Sequence, residues 1–260
     1  GRAYQSIAAG MGHTCAVALD GAAYCWGRND SGQLGDGTKS QTLTTVPAPV
    51  TGGAKYVQVV AGETHTCGLA QGGTAWCWGG NWAGQVGDGT GATGLASTDR
   101  PVPVAVTGGL TFAKLTAGMH HTCGITAVGA TWCWGRNDVG QVGDGAPNAL
   151  GVSAPVPVAG GASFASISAG GMHTCALTTA GAARCWGASY FGQLGNGTTI
   201  SASIPAAVVG AQAYVAIASG HSHTCALDQA GGAWCWGQNW FGQLGNGEGA
   251  ESAGGCMVSP

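Results

Sequence analysis

Residues 13–27 read His-Thr-Cys-Ala-Val-Ala-Leu-Asp-Gly-Ala-Ala-Tyr-Cys-Trp-Gly, and the fold is decided by this stretch because its pattern occurs five times along the chain. The His-Thr-Cys triplet returns at His65, His121, His173 and His223, with periods of 52, 56, 52 and 50 residues. Ten residues after each triplet cysteine stands a second one, giving the pairs Cys15/Cys25, Cys67/Cys77, Cys123/Cys133, Cys175/Cys185 and Cys225/Cys235. Self-similarity at this period marks a repeat architecture, in which each unit buries its apolar face against the next.

Each unit reads as strands. An aromatic (Tyr4, Tyr56, Phe112, Phe164, Tyr214) opens a short apolar segment that closes at a glycine three residues before the His. The segment after His-Thr-Cys is a second strand. A glycine six residues past its cysteine (Gly21, Gly73, Gly129, Gly181, Gly231) supplies the positive φ of a hairpin turn. The third strand returns through Cys-Trp-Gly. In such a hairpin the two cysteines face each other as a non-hydrogen-bonded pair, within disulfide range. Five intra-hairpin disulfides are therefore expected, each worth about 2–3 kcal/mol. Next comes a loop ending Gly-Gln-Leu-Gly-Asp-Gly (Gly32–Gly37), with Val for Leu or Asn for Asp in later copies. A proline-bearing segment follows, such as Val46-Pro47-Ala48-Pro49-Val50. Proline lacks the backbone donor, which predicts an outer strand there. One unit thus supplies about four strands, the content of a propeller blade. The expected fold is all-β: one domain over 1–260, a β-propeller of five four-stranded blades with one disulfide in each hairpin. Its repeats span about 1–50, 51–106, 107–158, 159–209 and 210–260.

The Gly-Gln-Leu-Gly-Asp-Gly loop, the His-Thr-Cys strand and the Cys-Trp-Gly strand resemble the repeat of the regulator of chromosome condensation family, over essentially the whole chain. The resemblance implies a propeller; better-known members have seven blades, whereas five repeats are present here. Counting from Gly247 as from Gly37, Cys256-Met257-Val258-Ser259-Pro260 falls at the outer-strand position and completes the fifth repeat. A ring closed by pairing this strand with the blade begun at Tyr4 is one expectation; an open arc is the other.

Composition narrows the function. Charged residues make up 7% of the chain and the net charge is −3, against about 25% charged residues in ordinary domains. No basic stretch offers a phosphate-binding surface, so nucleic acid is not an expected partner. No apolar run approaches a membrane span, and the first residues lack the features of a signal peptide. Paired cysteines point to an oxidising compartment, hence a secreted or cell-surface location.

No enzyme signature emerges. There is no Gly-x-Ser-x-Gly elbow, the carboxylates are scattered, and a paired cysteine is no nucleophile. A His13/Cys15/Cys25 metal set lacks a fourth ligand, so the repeated histidines read as structural, bonded to neighbouring backbone. His120 and His221 lie outside the repeat and read as surface residues. Asn29, Asp30 and Asp36, with Asp88 and Asp144 in later copies, suggest a weak calcium site; side-chain turns are the alternative. No other cofactor is implied. Asn29-Asp30-Ser31 and Asn196-Gly197-Thr198 match the glycan acceptor pattern. The tryptophan of each Cys-Trp-Gly reads as inter-blade core. Trp82, Tyr190, Phe191, Trp240 and Phe241 vary between the otherwise fixed repeats, as residues of a contact surface would.

These features point to a non-enzymatic extracellular module that binds protein, its own copies above all, as in a surface filament or matrix, with Cys256 as an intermolecular cross-link. The resemblance also implies two alternatives: a secreted inhibitor of an enzyme such as a β-lactamase, and, less in keeping with paired cysteines, a nucleotide exchange factor for a small GTPase. Alkylation under denaturing, non-reducing conditions followed by mass measurement should leave the ten repeat cysteines unlabelled, and Cys256 as well where it joins two chains. Labelling of all eleven would remove the disulfide framework.

Overall fold

The computed structural model describes residues 1–92, 98–210 and 212–248, together with the backbone of 255–258. It contains five antiparallel four-stranded meanders, one per repeat. Blade 1 runs β1 Tyr4–Ala9, β2 His13–Ala18, β3 Ala23–Asn29 and β4 Ser40–Pro49. Blade 2 is β5 Tyr56–Ala61, β6 His65–Ala70, β7 Ala75–Gly79 and β8 Arg100–Ala105. Blade 3 is β9 Lys114–Ala117, β10 His121–Ile125, β11 Thr131–Asn137 and β12 Asn148–Pro157. Blade 4 is β13 Phe164–Ala169, β14 His173–Thr178, β15 Ala183–Gly187 and β16 Ala202–Ala207. Blade 5 is β17 Tyr214–Ser219, β18 His223–Asp228, β19 Ala233–Gly237 and β20 Gly255–Val258. The inner strands contact one another in sequence from β1 to β17, as propeller blades do around an axis.

The hairpin register follows from the repeat. Cys15 pairs with Cys25 across β2 and β3, Cys67 with Cys77 across β6 and β7, and Cys123 with Cys133 across β10 and β11. Cys175 pairs with Cys185 across β14 and β15, and Cys225 with Cys235 across β18 and β19. All five pairs are bridged, each with a Cα–Cα distance of 4.1 Å. Pro47, Pro49, Pro101, Pro103, Pro155, Pro157 and Pro205 fall on the fourth strands, the outermost of their sheets, where a missing N–H breaks no ladder to a further strand. β4 begins at Ser40, six residues before the Val46 start expected from the prolines. The reason is that β3 runs on to Asn29 and pairs with Ser40 across two register shifts. β20 pairs with β19 through Cys235↔Val258 and Gly237↔Gly255, which places Cys256 in the outer strand of blade 5. The Cys256 side chain lies outside the described residues.

The core sits between blades. Each of four apolar clusters joins the disulfide and aliphatics of one blade to the aromatic and tryptophan of the next. In the first, Cys15, Val17, Cys25 and Leu34 meet Tyr56, Val59 and Trp78. In the second, Cys67 and Cys77 meet Phe112 and Trp134; in the third, Cys123 and Cys133 meet Phe164 and Trp186. In the fourth, Cys175 and Cys185 meet Tyr214 and Trp236.

A polar ladder crosses the same four interfaces. Nε2 of His13, His65, His121 and His173 lies 2.8, 2.9, 2.8 and 2.9 Å from Oγ1 of Thr66, Thr122, Thr174 and Thr224 in the following blade. Each threonine hydroxyl donates in turn to the carbonyl of Gln33, Gln85, Gln141 or Gln193 in the preceding blade. A hydroxyl has one proton, here given to the carbonyl, so it accepts from an imidazole that carries a hydrogen on Nε2, and burial favours the neutral form of that ring. The indoles of Trp78, Trp134 and Trp236 donate to the same carbonyls of Gln33, Gln85 and Gln193. The ring nitrogen thus bonds a side chain of the next blade, and not the neighbouring backbone that the sequence suggests.

Close approach explains two glycine positions. A Cβ on Gly10 would meet the Gly62 carbonyl at 2.5 Å and His13 Cε1 at 2.6 Å, and a Cβ on Gly35 would meet Trp78 Nε1 at 2.8 Å. Gly35 also has φ +68°, where side chains are rarely tolerated.

The ring does not close among the described residues. No apolar cluster of those residues links blade 5 to blade 1. Trp26 is half-buried where its four counterparts are fully buried, and the Cys225–Cys235 bridge is only partly covered where the other four are sealed. What they form is the open arc.

Burial drives the histidine pKa values down: to about 4 for His13, to about 3 for His121 and His173, and well below the ordinary value for His65. An unfolded imidazole titrates near 6.5, so below that pH the unfolded chain binds the extra protons. The stability these groups contribute is complete above about pH 6.5. It is lost as pH falls towards 3–4, at about 1.4 kcal/mol per pH unit for each imidazole. Melting temperature should therefore drop steeply from pH 7 to pH 5, and flat melting over that range would contradict neutral buried histidines. Under graded reductant, Cys225–Cys235 should open first, as read by differential alkylation.

Candidate interaction face

In an antiparallel meander, alternate loops emerge at the same end. The β1–β2 and β3–β4 loops and their counterparts therefore share one face, and the residues that break the repeat are concentrated on it. The bridged cysteines take no part in that face. Cys15, Cys25, Cys67, Cys77, Cys123, Cys133, Cys175 and Cys185 are fully buried between blades, so these eight are core and not a site for a ligand.

The long β3–β4 loops are built on a buried amide. Asn29 Oδ1 accepts the Leu34 N–H at 3.1 Å, while its Nδ2 donates to Asp36 Oδ1 and to the Thr38 carbonyl, both at 3.2 Å. Asn81, Asn137 and Asn239 do the same in their blades, and Ser189 stands in for blade 4, donating to the Thr198 carbonyl. The Gln side chain of each Gly-Gln accepts a backbone N–H two residues back, as Gln33 does from Ser31. Thus the loop is rigid, and its carbonyl at Gln33 is presented to the next blade.

This arrangement does not fit a calcium ion. The structure brings Asn29 and Asp36 together, but with an amide N–H pointing at the carboxylate. Asp36 Oδ1 also accepts from the Thr38 N–H and hydroxyl. Asp30 is taken by Arg28 and Gln33, and Asp88 by Thr90 and Arg100. Asp144 accepts from Asn137 and the Ala146 N–H. These oxygens serve turns and ion pairs. Among the described residues, no three His, Cys, Asp or Glu side chains gather as a metal set. Asn29 is also buried, so the first acceptor pattern offers no site for a glycan.

The variable aromatics divide. Tyr190, Trp240 and Phe241 are 58, 53 and 88% exposed. Phe191 is half-buried and meets Trp240 edge to face, with ring centroids 5.0 Å apart, across the boundary of blades 4 and 5. Trp82 turns inward. Its ring lies 4.9 Å from that of His120 in the next blade, with the Arg136 guanidinium 5.8 Å from its centroid.

His120 is a residue that sequence reading misses. It is not a surface residue: its side chain is 12% exposed, and Nε2 lies 3.1 Å from Glu63 Oε2. Burial lowers its pKa and Glu63 opposes that shift. The only signal in the sequence is a second histidine beside the repeated one. His221 is exposed, as expected. Near the axis, Met11, Glu63, Met119, Gly171 and His221 line a shallow depression. Their backbones are stitched blade to blade, as in Glu63 N–H to the Met119 carbonyl at 3.1 Å and Gly171 N–H to the His221 carbonyl at 3.0 Å.

Comparison with known proteins settles the family. The RCC1-like domain profile matches residues 1–257. The chain belongs to the RCC1-like domain family. It is similar to the ultraviolet-B receptor UVR8 of Arabidopsis thaliana, at 32% identity over 198 residues, covering 75% of this chain and 44% of the receptor. It is also similar to the human E3 ubiquitin-protein ligase HERC2, at 29% identity over 75% of this chain and 4% of the ligase. The chain thus spans less than half the length of these curated relatives. Human WBSCR16 shares the fold with a TM-score of 0.86, 20% identity, and coverage of 99% of this chain and 66% of that one. Prp20p of Saccharomyces cerevisiae, solved with a study of its binding to Gsp1p and histones, gives a TM-score of 0.80, 21% identity and coverage of 95 and 61%.

The two kinds of aromatic should separate by stability. Trp134→Ala, which removes a fully buried indole, should cost about 3–5 kcal/mol in chemical denaturation. Phe241→Ala should stay within about 0.5 kcal/mol. Equal costs would contradict this placement.

Proposed function

We propose that this RCC1-like propeller is a protein-interaction module of an oxidising compartment, and that it binds through the loop face of blades 4 and 5. The observation that carries the reading is that Tyr190, Trp240 and Phe241 are all exposed on the equivalent loops of the adjacent blades 4 and 5, where Phe191 meets Trp240 across the boundary, in a chain poor in charge. Aromatic side chains of this kind anchor interfaces, because they bury large area with few rotors to freeze. The reading is non-enzymatic: among the described residues the face holds one partly buried Glu63–His120 pair and no nucleophile oriented by a base.

Five disulfides favour an extracellular or cell-surface location over the reducing cytosol and nucleus. On that ground an exchange factor for a small GTPase is the weakest of the expected roles. Assembly with its own copies, as in a filament or matrix, is the finer form of the proposal. It is supported by the 7% charge content, which leaves little like-charge repulsion between copies. An inhibitor of a secreted enzyme would use the same aromatic loops on a different partner.

Affinity capture from the secreted fraction of the native host tests the proposal, comparing the wild-type chain with the triple substitution Tyr190→Ala, Trp240→Ala, Phe241→Ala. The wild type should retain a partner that the variant loses by at least tenfold. Equal retention by both would exclude this face. Recovery of the same chain identifies self-assembly, and recovery of a hydrolase identifies an inhibitor.

A further inference from the structure

Five short turns join the first strand of each blade to its second, at residues 10–12, 62–64, 118–120, 170–172 and 220–222. They hold side chains that the repeat does not explain. Three of the chain's four methionines lie there, as Met11, Met119 and Met172, and so do both histidines outside the repeated triplet, His120 and His221. The turns meet around the axis. Met11 N–H donates to the Gly62 carbonyl and Met119 N–H to the Gly171 carbonyl, each at 3.3 Å, which holds the turns of neighbouring blades at one level. Together they border a depression of about 320 Å³ lined by Met11, Glu63, Met119 and His221; the rest of its wall is alanine, glycine and Ser219. Met172 and His120 do not line it. Met11 is 75% exposed, so the core does not account for its thioether.

The imidazole of His221 is held in place. A Cβ on Gly171 would fall 3.1 Å from its Cδ2, so the ring lies over the turn residue that has no side chain, between blade 5 and the turn that carries Met119. Its Nδ1 lies 2.9 Å from Ser222 Oγ. Donation from Nδ1 to that hydroxyl leaves Nε2 with its lone pair free. An imidazole anchored through one nitrogen in this way is set up to bind a metal through the other. We infer that Met11, Met119 and His221 form a binding site for a soft monovalent cation, copper(I) above all. Two thioethers and an imidazole are neutral donors that select copper(I) over magnesium or calcium, which take oxygen. Ten cysteines are bridged, so thioethers are the soft donors that an oxidising compartment leaves available. Glu63 adds a carboxylate to the same rim, and a negative charge there draws in a cation. The site is separate from the aromatic loops of blades 4 and 5, and either can fail without the other.

The test uses the oxidised chain with Cys256→Ser, so that no free thiol competes for metal. Silver(I) serves as a redox-inert probe, and copper(I) is supplied without oxygen against a chromophoric chelator. With carbon-13 labelled methionine methyl groups, a silver titration followed by NMR should end at one ion per chain. The Met11 and Met119 signals should shift while that of Met172 stays. Met11→Leu, Met119→Leu and His221→Gln should each weaken binding of both metals about tenfold or more, and Met172→Leu should leave it unchanged. These side chains lie outside the core, so the metal-free melting temperature should not move, which separates loss of the site from loss of the fold. Absence of binding to the Cys256→Ser chain would overturn the inference, as would binding that the three substitutions leave unchanged. Zinc(II) bound as tightly as silver(I) would assign the site to imidazole and carboxylate, and would overturn it equally.

Discussion

The structure depends on one repeated hydrogen-bond relay: a neutral imidazole donates to a threonine in the next blade, and that threonine donates back to a glutamine carbonyl in the first. Where the indole of the next blade joins, the carbonyl accepts twice. The relay is buried, so each of its bonds avoids the penalty of an unpaired group in an apolar interior. It fixes the pitch between blades, and the apolar clusters pack around it. Because it links neighbours only, stability is built interface by interface, as in other repeat proteins.

The disulfides act inside that scheme. They do not tie blades together. Each closes one hairpin, and the first four then serve as apolar surface for the next blade's aromatic, as Cys67–Cys77 does for Phe112. A chain with so little charge gains little from surface ion pairs. Those present, such as Arg136–Asp138 and Arg100–Asp88, pin loops. The result is a stiff frame that holds variable aromatics at fixed positions, an arrangement suited to recognition.

Much of this is written locally. The hairpin, its cysteine register and the proline-bearing outer strands are set by residues close together in the chain, so spacing alone reveals them. The histidine's partner is hidden because it lies in the next repeat and is the threonine of an identical triplet; periodicity cannot say that one copy's His meets the next copy's Thr. Asn29 reads as a cation ligand because an amide beside two carboxylates looks the same whether it offers its oxygen or its N–H, and only the fold orients it. Trp82 and Phe191 share their loop position with the exposed aromatics, yet one is drawn onto His120 and the other onto Trp240. Those contacts depend on which residue the adjacent blade places beside them. Trp26 shares its motif with four buried indoles and differs in having no described blade before it.

The most direct test of the relay is the state of its imidazoles. Nitrogen-15 NMR of histidine-labelled protein should show four rings as the neutral Nε2–H tautomer, with their Nε2 protons protected from solvent and no titration between about pH 7.5 and 5. Nδ1–H rings, or four ordinary titrations near pH 6.5, would contradict it.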